Sequence, residues 1–365
     1  MEITSVAATT HDVAVEVPLL DDPGRREMVF VRVETDEGVT GYGTTSKRQY
    51  FGVRELINRE MAPILEGTSP LETERAYHAL EAELNPRIQT GAWSSATSAV
   101  DIALWDIKGK QYGEPVWRLL GGAQPTVPGY VTFGLLDYSE DQLVEVATDF
   151  VDRGQVGLKM KVGEDNDPAE DAARVAAVRE AVGDDVDLMI DANYTCSFDQ
   201  ALELVNRIER RELDLTWFEE PVYGNDAKLL RKLRERTRTP VSAGQNEGHK
   251  YRHRKLIANE AVDVSQPNVV YCGGYTEGRK VASLAETYNL DISNGAGFPN
   301  QNKHLHAAVP NGGYVEYHLV TWRVEEALFD GSHLSAPDEG VVHMPEEPGL
   351  GVEPDWDALD ESEIE

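Results

Sequence analysis

Cysteine is nearly absent from this chain, with Cys196 and Cys272 the only thiols in 365 residues. That excludes a disulfide framework and a cysteine-held zinc site. Lysine is scarce too: 11 lysines and 23 arginines make up the 34 basic residues, against 65 acidic ones and a net charge of -31. Such a surface repels nucleic acid and anionic membranes. Long apolar runs are missing, since no window approaches the roughly 18 apolar residues of a membrane helix. The N-terminus has no basic region followed by an apolar stretch, and the expected location is cytoplasmic. The acid excess runs along the whole chain, a pattern expected of a protein adapted to high cytoplasmic salt.

What is present divides the chain. A length of 365 residues exceeds the usual single core, so one large and one smaller unit are expected. Met28 to Val33 and Val39 to Tyr42 alternate in the strand manner around the turn signal Asp36-Glu37-Gly38, which predicts an antiparallel hairpin. From Phe51 to Lys110 the apolar period becomes helical, ending in an amphipathic stretch from Ala96 to Lys108. After Gly121-Gly122, eight short apolar runs alternate with helical segments: Val127–Phe133, Val156–Val162, Val186–Asn193, Leu215–Pro221, Pro240–Gly244, Val262–Asn268, Leu290–Gly295 and Tyr314–His318. That order predicts an α/β fold, a TIM-like (β/α)-barrel behind an N-terminal α+β capping domain. A doubly wound sheet is the rival, but no glycine-rich phosphate loop follows the first of these runs. The expected units are 1–122 (capping), 123–325 (barrel) and 326–365, a Pro- and Gly-rich segment that returns to the cap as irregular structure, its acidic end near Glu361 disordered.

Barrel enzymes place their working groups where strands end at the C-terminal face. The polar residues closing the runs are Lys159 and Lys161, Asp191, Glu219, Gln245, Asn268, Asn294 and Glu316. From Lys161 onward they are spaced by 30, 28, 26, 23, 26 and 22 residues, about one βα unit each, so one mouth should hold them all. Lys159 and Lys161 stand two apart on one strand and point the same way, so their charges should repel and lower a lysine pKa, making a base near neutral pH. Two solvated lysines on an edge strand would be the plain alternative, at odds with the apolar residues on either side. Asp191 and Glu219 are oxygen ligands suited to a hard cation such as Mg²⁺; separately, each also suits a helix cap.

These residues carry a resemblance. Ala99-Val100-Asp101-Ile102-Ala103-Leu104-Trp105-Asp106-Ile107-Lys108-Gly109-Lys110, Leu158-Lys159-Met160-Lys161-Val162-Gly163, Asp191-Ala192-Asn193, Phe218-Glu219-Glu220-Pro221 and Pro348-Gly349-Leu350-Gly351-Val352-Glu353, in this order, resemble the mandelate racemase and muconate lactonizing enzyme branch of the enolase superfamily, most of all its acid-sugar dehydratases. The resemblance spans essentially the whole chain. It implies an enolase-type barrel, a Mg²⁺ cofactor, and removal of the proton α to the carboxylate of a sugar acid. It makes Lys161 the base and Lys159 its pKa-lowering, carboxylate-binding neighbour. It makes Asp191, Glu219 and Gln245 the metal ligands, and places Asn193, Glu247, Asn268, Asn294 and Glu316 around the substrate. A homo-oligomer is implied as well.

Three positions depart from the family pattern, each by an amide: Gln245 stands for Glu, Asn268 for Asp and Asn294 for His. Gln245 can ligate through its carbonyl oxygen but brings no charge. Glu247, two residues on, would restore that charge if its strand continued. Neither Asn268 nor Asn294 can do acid–base work at neutral pH. Racemisation, which needs groups on both faces of the α-carbon, is therefore disfavoured. A single-base dehydratase giving a 2-keto-3-deoxy acid remains, with Lys161 both removing the α-proton and returning it to the departing β-hydroxyl; the alternatives are a catalytically impaired or repurposed relative that binds a sugar acid or a partner, and other enolate chemistry with Tyr194, Glu247, His249, Glu316 or His318 as substitute acids. Specificity is expected from the loops Asp21 to Arg26 and Ser46 to Tyr50.

Overall fold

A computed structural model describes the chain except for Lys47, Arg48, Pro86, Asp165 and Ser332. The hairpin expected from the alternating residues is present as β2 (Gly24–Thr35) and β3 (Thr40–Ser46), and β1 (Ile3–Val15) joins them in an antiparallel sheet ordered β1-β2-β3. Both faces of β2 are covered, because Val29, Val31 and Val33 pack with the N-terminal helices while Met28 and Phe30 pack with Phe329 and Leu359 from the C-terminal part. The stretch expected to be amphipathic forms a helix, Ala92–Tyr112, that is buried on every side from Ala96 to Ile107 rather than along one stripe, and β3 touches it directly. A Cβ on Gly43 would lie 1.9 Å from the Ala99 carbonyl oxygen, and one on Gly41 2.2 Å from that of Ala103, so only glycine permits this approach.

The same helix pins the cap to the rest. Asp106 accepts from the backbone N–H groups of Tyr42 and Leu350, and the Trp105 indole donates to Thr276. Asp101 is buried and accepts from Thr276 N at 2.9 Å. Burial pushes its pKa up to about 7. Between the ordinary carboxylate range and about 7 the folded protein holds a proton that the unfolded chain has released, so this group makes stability fall as pH rises across that window. Asp101→Asn keeps an acceptor for Thr276 and removes the titration. Relative to this variant, the wild type should lose about 3 kcal/mol of urea-unfolding stability between pH 4.5 and 7.5. Parallel profiles for the two proteins would disprove the assignment.

Eight parallel strands follow: β4 (Thr126–Gly134), β5 (Gly157–Lys161), β6 (Asp187–Asp191), β7 (Trp217–Glu219), β8 (Val241–Ala243), β9 (Val264–Ser265), β10 (Asp291–Ile292) and β11 (Val315–His318). They pair consecutively from β4 to β10, and β11 pairs with β4. The seam between β10 and β11 is bridged at Ile292 and Gly312, with the Ser293 hydroxyl donating to the Tyr314 carbonyl. Tyr130, Met189, Trp217 and Tyr314 fill the interior as an apolar floor.

The C-terminal segment differs from expectation. Val341–His343 pairs antiparallel with β4, and the acidic end forms a helix, Trp356–Ser362. Asp355 caps that helix, the Trp356 ring meets Phe30 and Tyr42 edge-on, and Ile364 N donates to Thr10 O at 2.7 Å. Apolar and backbone contacts offset the charge repulsion that composition alone suggests.

Candidate active site

Strand parity and register build the site. Lys161, Asp191 and Glu219 are register partners across β5, β6 and β7, at the strand ends. Two residues earlier on the same strands, Lys159, Met189 and Trp217 are also partners, one level down and on the same face. A polar layer thus lies on an apolar one. Lys159 is rooted in the lower layer and reaches upward, its Nζ 2.6 Å from Glu219 Oε2, 2.9 Å from Glu316 Oε1 and 3.6 Å from Asp191 Oδ2.

This enclosure corrects one expectation. Burial alone would lower the Lys159 pKa, but Glu219, Glu316 and Asp191 outweigh it and hold the ammonium well above its ordinary value. Lys159 is a permanently protonated, internally neutralised cation rather than a bare charge pressing on Lys161. Burial, together with the like charges of Asp191 and Glu316, pushes the Glu219 carboxyl up. Lys159→Met would leave three crowded carboxylates without their counter-ion. It should lower unfolding stability by roughly 3–5 kcal/mol, read from urea midpoints. A loss below about 1 kcal/mol would show that the cluster does not depend on Lys159.

The oxygens suit a hard cation. Lys159 with its three carboxylates carries a formal charge of 1 − 3 = −2. Glu219 Oε1 is buried and has no partner among the described residues. A Cβ on Gly295 would lie 2.5 Å from that oxygen and 2.8 Å from Gln245 Oε1, so both front the same small space. Gln245 is oriented by its own amide, whose Nε2 donates to Glu220 Oε2 at 2.8 Å, turning the carbonyl oxygen away. Asn193 holds Asp191 through its backbone N–H and its Nδ2. Among the described residues no three acidic, histidine or cysteine side chains alone form a metal-holding group. The other oxygen fronting this space is the amide carbonyl of Gln245.

A cavity of about 110 Å³ opens onto these groups, lined by Lys161, Asp191, Asn193, Gln245 and Glu316, and also by Arg26, Tyr194, Asn246, Ala296 and His318. A larger recess of about 780 Å³ lies under Val15 to Pro23 with Arg153 and Arg323 and contains none of the carboxylates, so the chemistry belongs to the smaller one. Glu316 reaches the cavity but is already occupied by Lys159, Thr132 and Gly297 N.

Three expected substrate contacts lie elsewhere. β8 ends at Ala243 and the chain turns, Glu247 N donating to Gly244 O, so strand parity does not carry Glu247 into the mouth; its carboxylate pairs with Arg252 at 2.9 Å. Asn268 donates to Gly295 O and accepts from Val270 N and Asn302. Asn294 donates to Gly297 O and accepts from Glu316 N. Both amides brace the loop after β10 and line no part of the cavity. Of the other substitute acids, His249 is buried against Glu81 and lies off the cavity, while Tyr194 and His318 line it. Both thiols are buried, and burial pushes the Cys196 pKa up to about 11. Of the loop Ser46 to Tyr50, Lys47 and Arg48 lie outside the described residues.

Two family models match the chain: the mandelate racemase / muconate lactonizing enzyme N-terminal domain over residues 7–121, and the enolase C-terminal domain-like model over 142–358. A 3,6-anhydro-alpha-L-galactonate cycloisomerase of Streptomyces coelicolor is 32% identical, covering 91% of this chain and 90% of the relative. An arabinonate dehydratase of Saccharolobus solfataricus is 31% identical, covering 89% and 87%. The crystal structure of a racemase from Streptomyces coelicolor A3(2) with bound magnesium superposes with a TM-score of 0.91 at 29% identity, covering 99% of this chain and 100% of that one. The chain belongs to the mandelate racemase and muconate lactonizing enzyme branch of the enolase superfamily.

Proposed function

We propose that this protein removes the proton α to the carboxylate of a sugar acid and expels the oxygen at the β-carbon, with Lys161 as the single base. The observation that carries this reading is the register row Lys161, Asp191 and Glu219 at three adjacent strand ends, with Lys161 and Asp191 lining one cavity and Glu219 buried beside them. The Lys161 amine takes the C2 proton, and the C–H electron pair moves into the carboxylate as an enediolate. The pair then returns to form C2=C3 as the C3–O bond breaks. The departing oxygen takes its proton back from the Lys161 ammonium, leaving an enol that tautomerises to a 2-keto-3-deoxy acid. Lys159, buried beneath and paired with Glu219, Glu316 and Asp191, positions these carboxylates.

Asp191, Glu219 and Gln245 would hold a Mg²⁺ ion, which supplies positive charge to the substrate carboxylate. The amides of Asn268 and Asn294 fit a one-sided mechanism, since neither can return a proton from the opposite face. The relatives' names, a dehydratase and a cycloisomerase, agree with β-oxygen loss. The same proposal includes the division at 1–122, 123–325 and 326–365, a salty cytoplasm and a homo-oligomer.

Proton NMR in D₂O with Mg²⁺ tests it on a panel of sugar acids. Deuterium at C2 or a 2-keto-3-deoxy product is expected. Tight binding of a sugar acid with no exchange across the panel would instead favour the impaired, binding-only relative.

A further inference from the structure

Arg26 is the cap's contribution to the cavity, the one lining residue among those described that does not come from the barrel. It stands on β2 opposite Val13, and its Nη2 donates to the Thr321 hydroxyl at 3.1 Å, at the start of the helix Leu319–Leu328. Its Nε is buried with no hydrogen-bond partner among the described residues, and no described carboxylate pairs with the guanidinium. Its neighbours differ: Arg25 is paired with Asp12, Arg32 with Glu34, and Arg323 with Glu326.

In a chain with 65 acidic residues, carboxylates are abundant, so a half-buried guanidinium without one calls for a reason. A buried N–H without an acceptor costs stability that an incoming anion recovers. Lys159 lies beneath the cavity rather than on its lining and is paired with three protein carboxylates, and Lys161 faces the reacting carbon in the enolate reading above. Among the described residues Arg26 is the cation left on the lining for a ligand's remote charge. Its planar fork suits a carboxylate.

We infer that the substrate is a sugar diacid or its monolactone rather than a monoacid, and that Arg26 holds the carboxylate remote from the reacting carbon. The inference rests on the enolate reading above for the reacting end. A monoacid would leave Arg26 without its counter-ion, so the diacid gains a charge-assisted pair that the monoacid lacks.

Matched pairs test this: galactonate against galactarate and gluconate against glucarate, titrated by calorimetry with Mg²⁺ present, with C2 exchange followed in the same samples. The wild type should bind each diacid at least about tenfold more tightly than its monoacid. Arg26→Gln should weaken diacid binding by roughly 10- to 100-fold and leave the monoacids within about twofold. Arg26→Lys, which keeps the charge and loses the fork, should recover part of the loss. Equal binding of both classes by the wild type, or an equal loss for both in Arg26→Gln, would overturn the inference. Tighter binding of a 6-phosphoaldonate than of the diacids would also overturn it, making the remote anion a phosphate. The two readings fail separately. Diacid preference without C2 exchange removes the enolate mechanism and keeps Arg26 in its role; exchange on both classes, indifferent to Arg26, does the reverse.

Discussion

Lys161→Ala abolishes C2 exchange, lowering its rate by about 10³- to 10⁴-fold, while the protein unfolds at the wild-type temperature. The magnitude is the upper range for a positioned base, because the neighbouring lysine cannot take over. Lys159, two residues earlier, is buried among Glu219, Glu316 and Asp191 and stays protonated. Fold retention follows from position, since the Lys161 side chain is only half-buried at the end of β5 and its removal leaves the Lys159 cluster intact. Lys161→Arg is expected to be as inactive as the alanine variant, because a guanidinium keeps the charge but does not deprotonate. Exchange within about tenfold of wild type in Lys161→Ala would remove Lys161 from the role of base.

The barrel was legible because parallel strands buried on both faces read as continuous apolar runs, and each run stops at a polar residue. Parity then placed Lys159 and Lys161 on one face without any structure. Parity says nothing of what surrounds a side chain. The carboxylates around Lys159 come from β6, β7 and β11, 32, 60 and 157 residues away, so two neighbouring lysines looked like mutual repulsion when three acids neutralise one of them. Glu247 was misread for a related reason, since its reach depended on a strand that stops at Ala243. Asn268 and Asn294 follow the expected strands, but their amide groups donate to backbone carbonyls of the Gly295 to Gly297 loop and accept from Val270 N, Asn302 and Glu316 N. Nothing local signals that such amides are structural. Arg26 enters the cavity through the docking of the cap on the barrel, a tertiary fact that periodicity does not carry.

Gln245 and Glu220 form a matched pair, and exchanging them should raise Mg²⁺ affinity by about tenfold to a thousandfold. In the wild type, Gln245 Nε2 donates to Glu220 Oε2, and Glu220 Oε1 accepts from Asn225 Nδ2 at 2.8 Å. In Gln245→Glu/Glu220→Gln the amide at 220 can donate to the carboxylate at 245 and still accept from Asn225, so net charge and hydrogen bonding persist. One negative charge moves to the position that fronts Glu219 Oε1. Gln245→Glu alone behaves differently, because it sets two carboxylates against each other across a contact of 2.8 Å. Without metal it should destabilise the fold by about 1–3 kcal/mol, and it should gain less affinity than the double variant, since part of the cation's attraction only relieves that repulsion. Calorimetric titration of Mg²⁺ into the wild type, both single variants and the double variant, with urea midpoints in chelator, separates the terms as a double-mutant cycle. An unchanged Mg²⁺ dissociation constant in the double variant would mean that residue 245 does not touch the ion, and the metal assignment would contract to Asp191 and Glu219. A gain confined to the double variant would mean that the amide at 245 persists because Glu220 already holds the local negative charge.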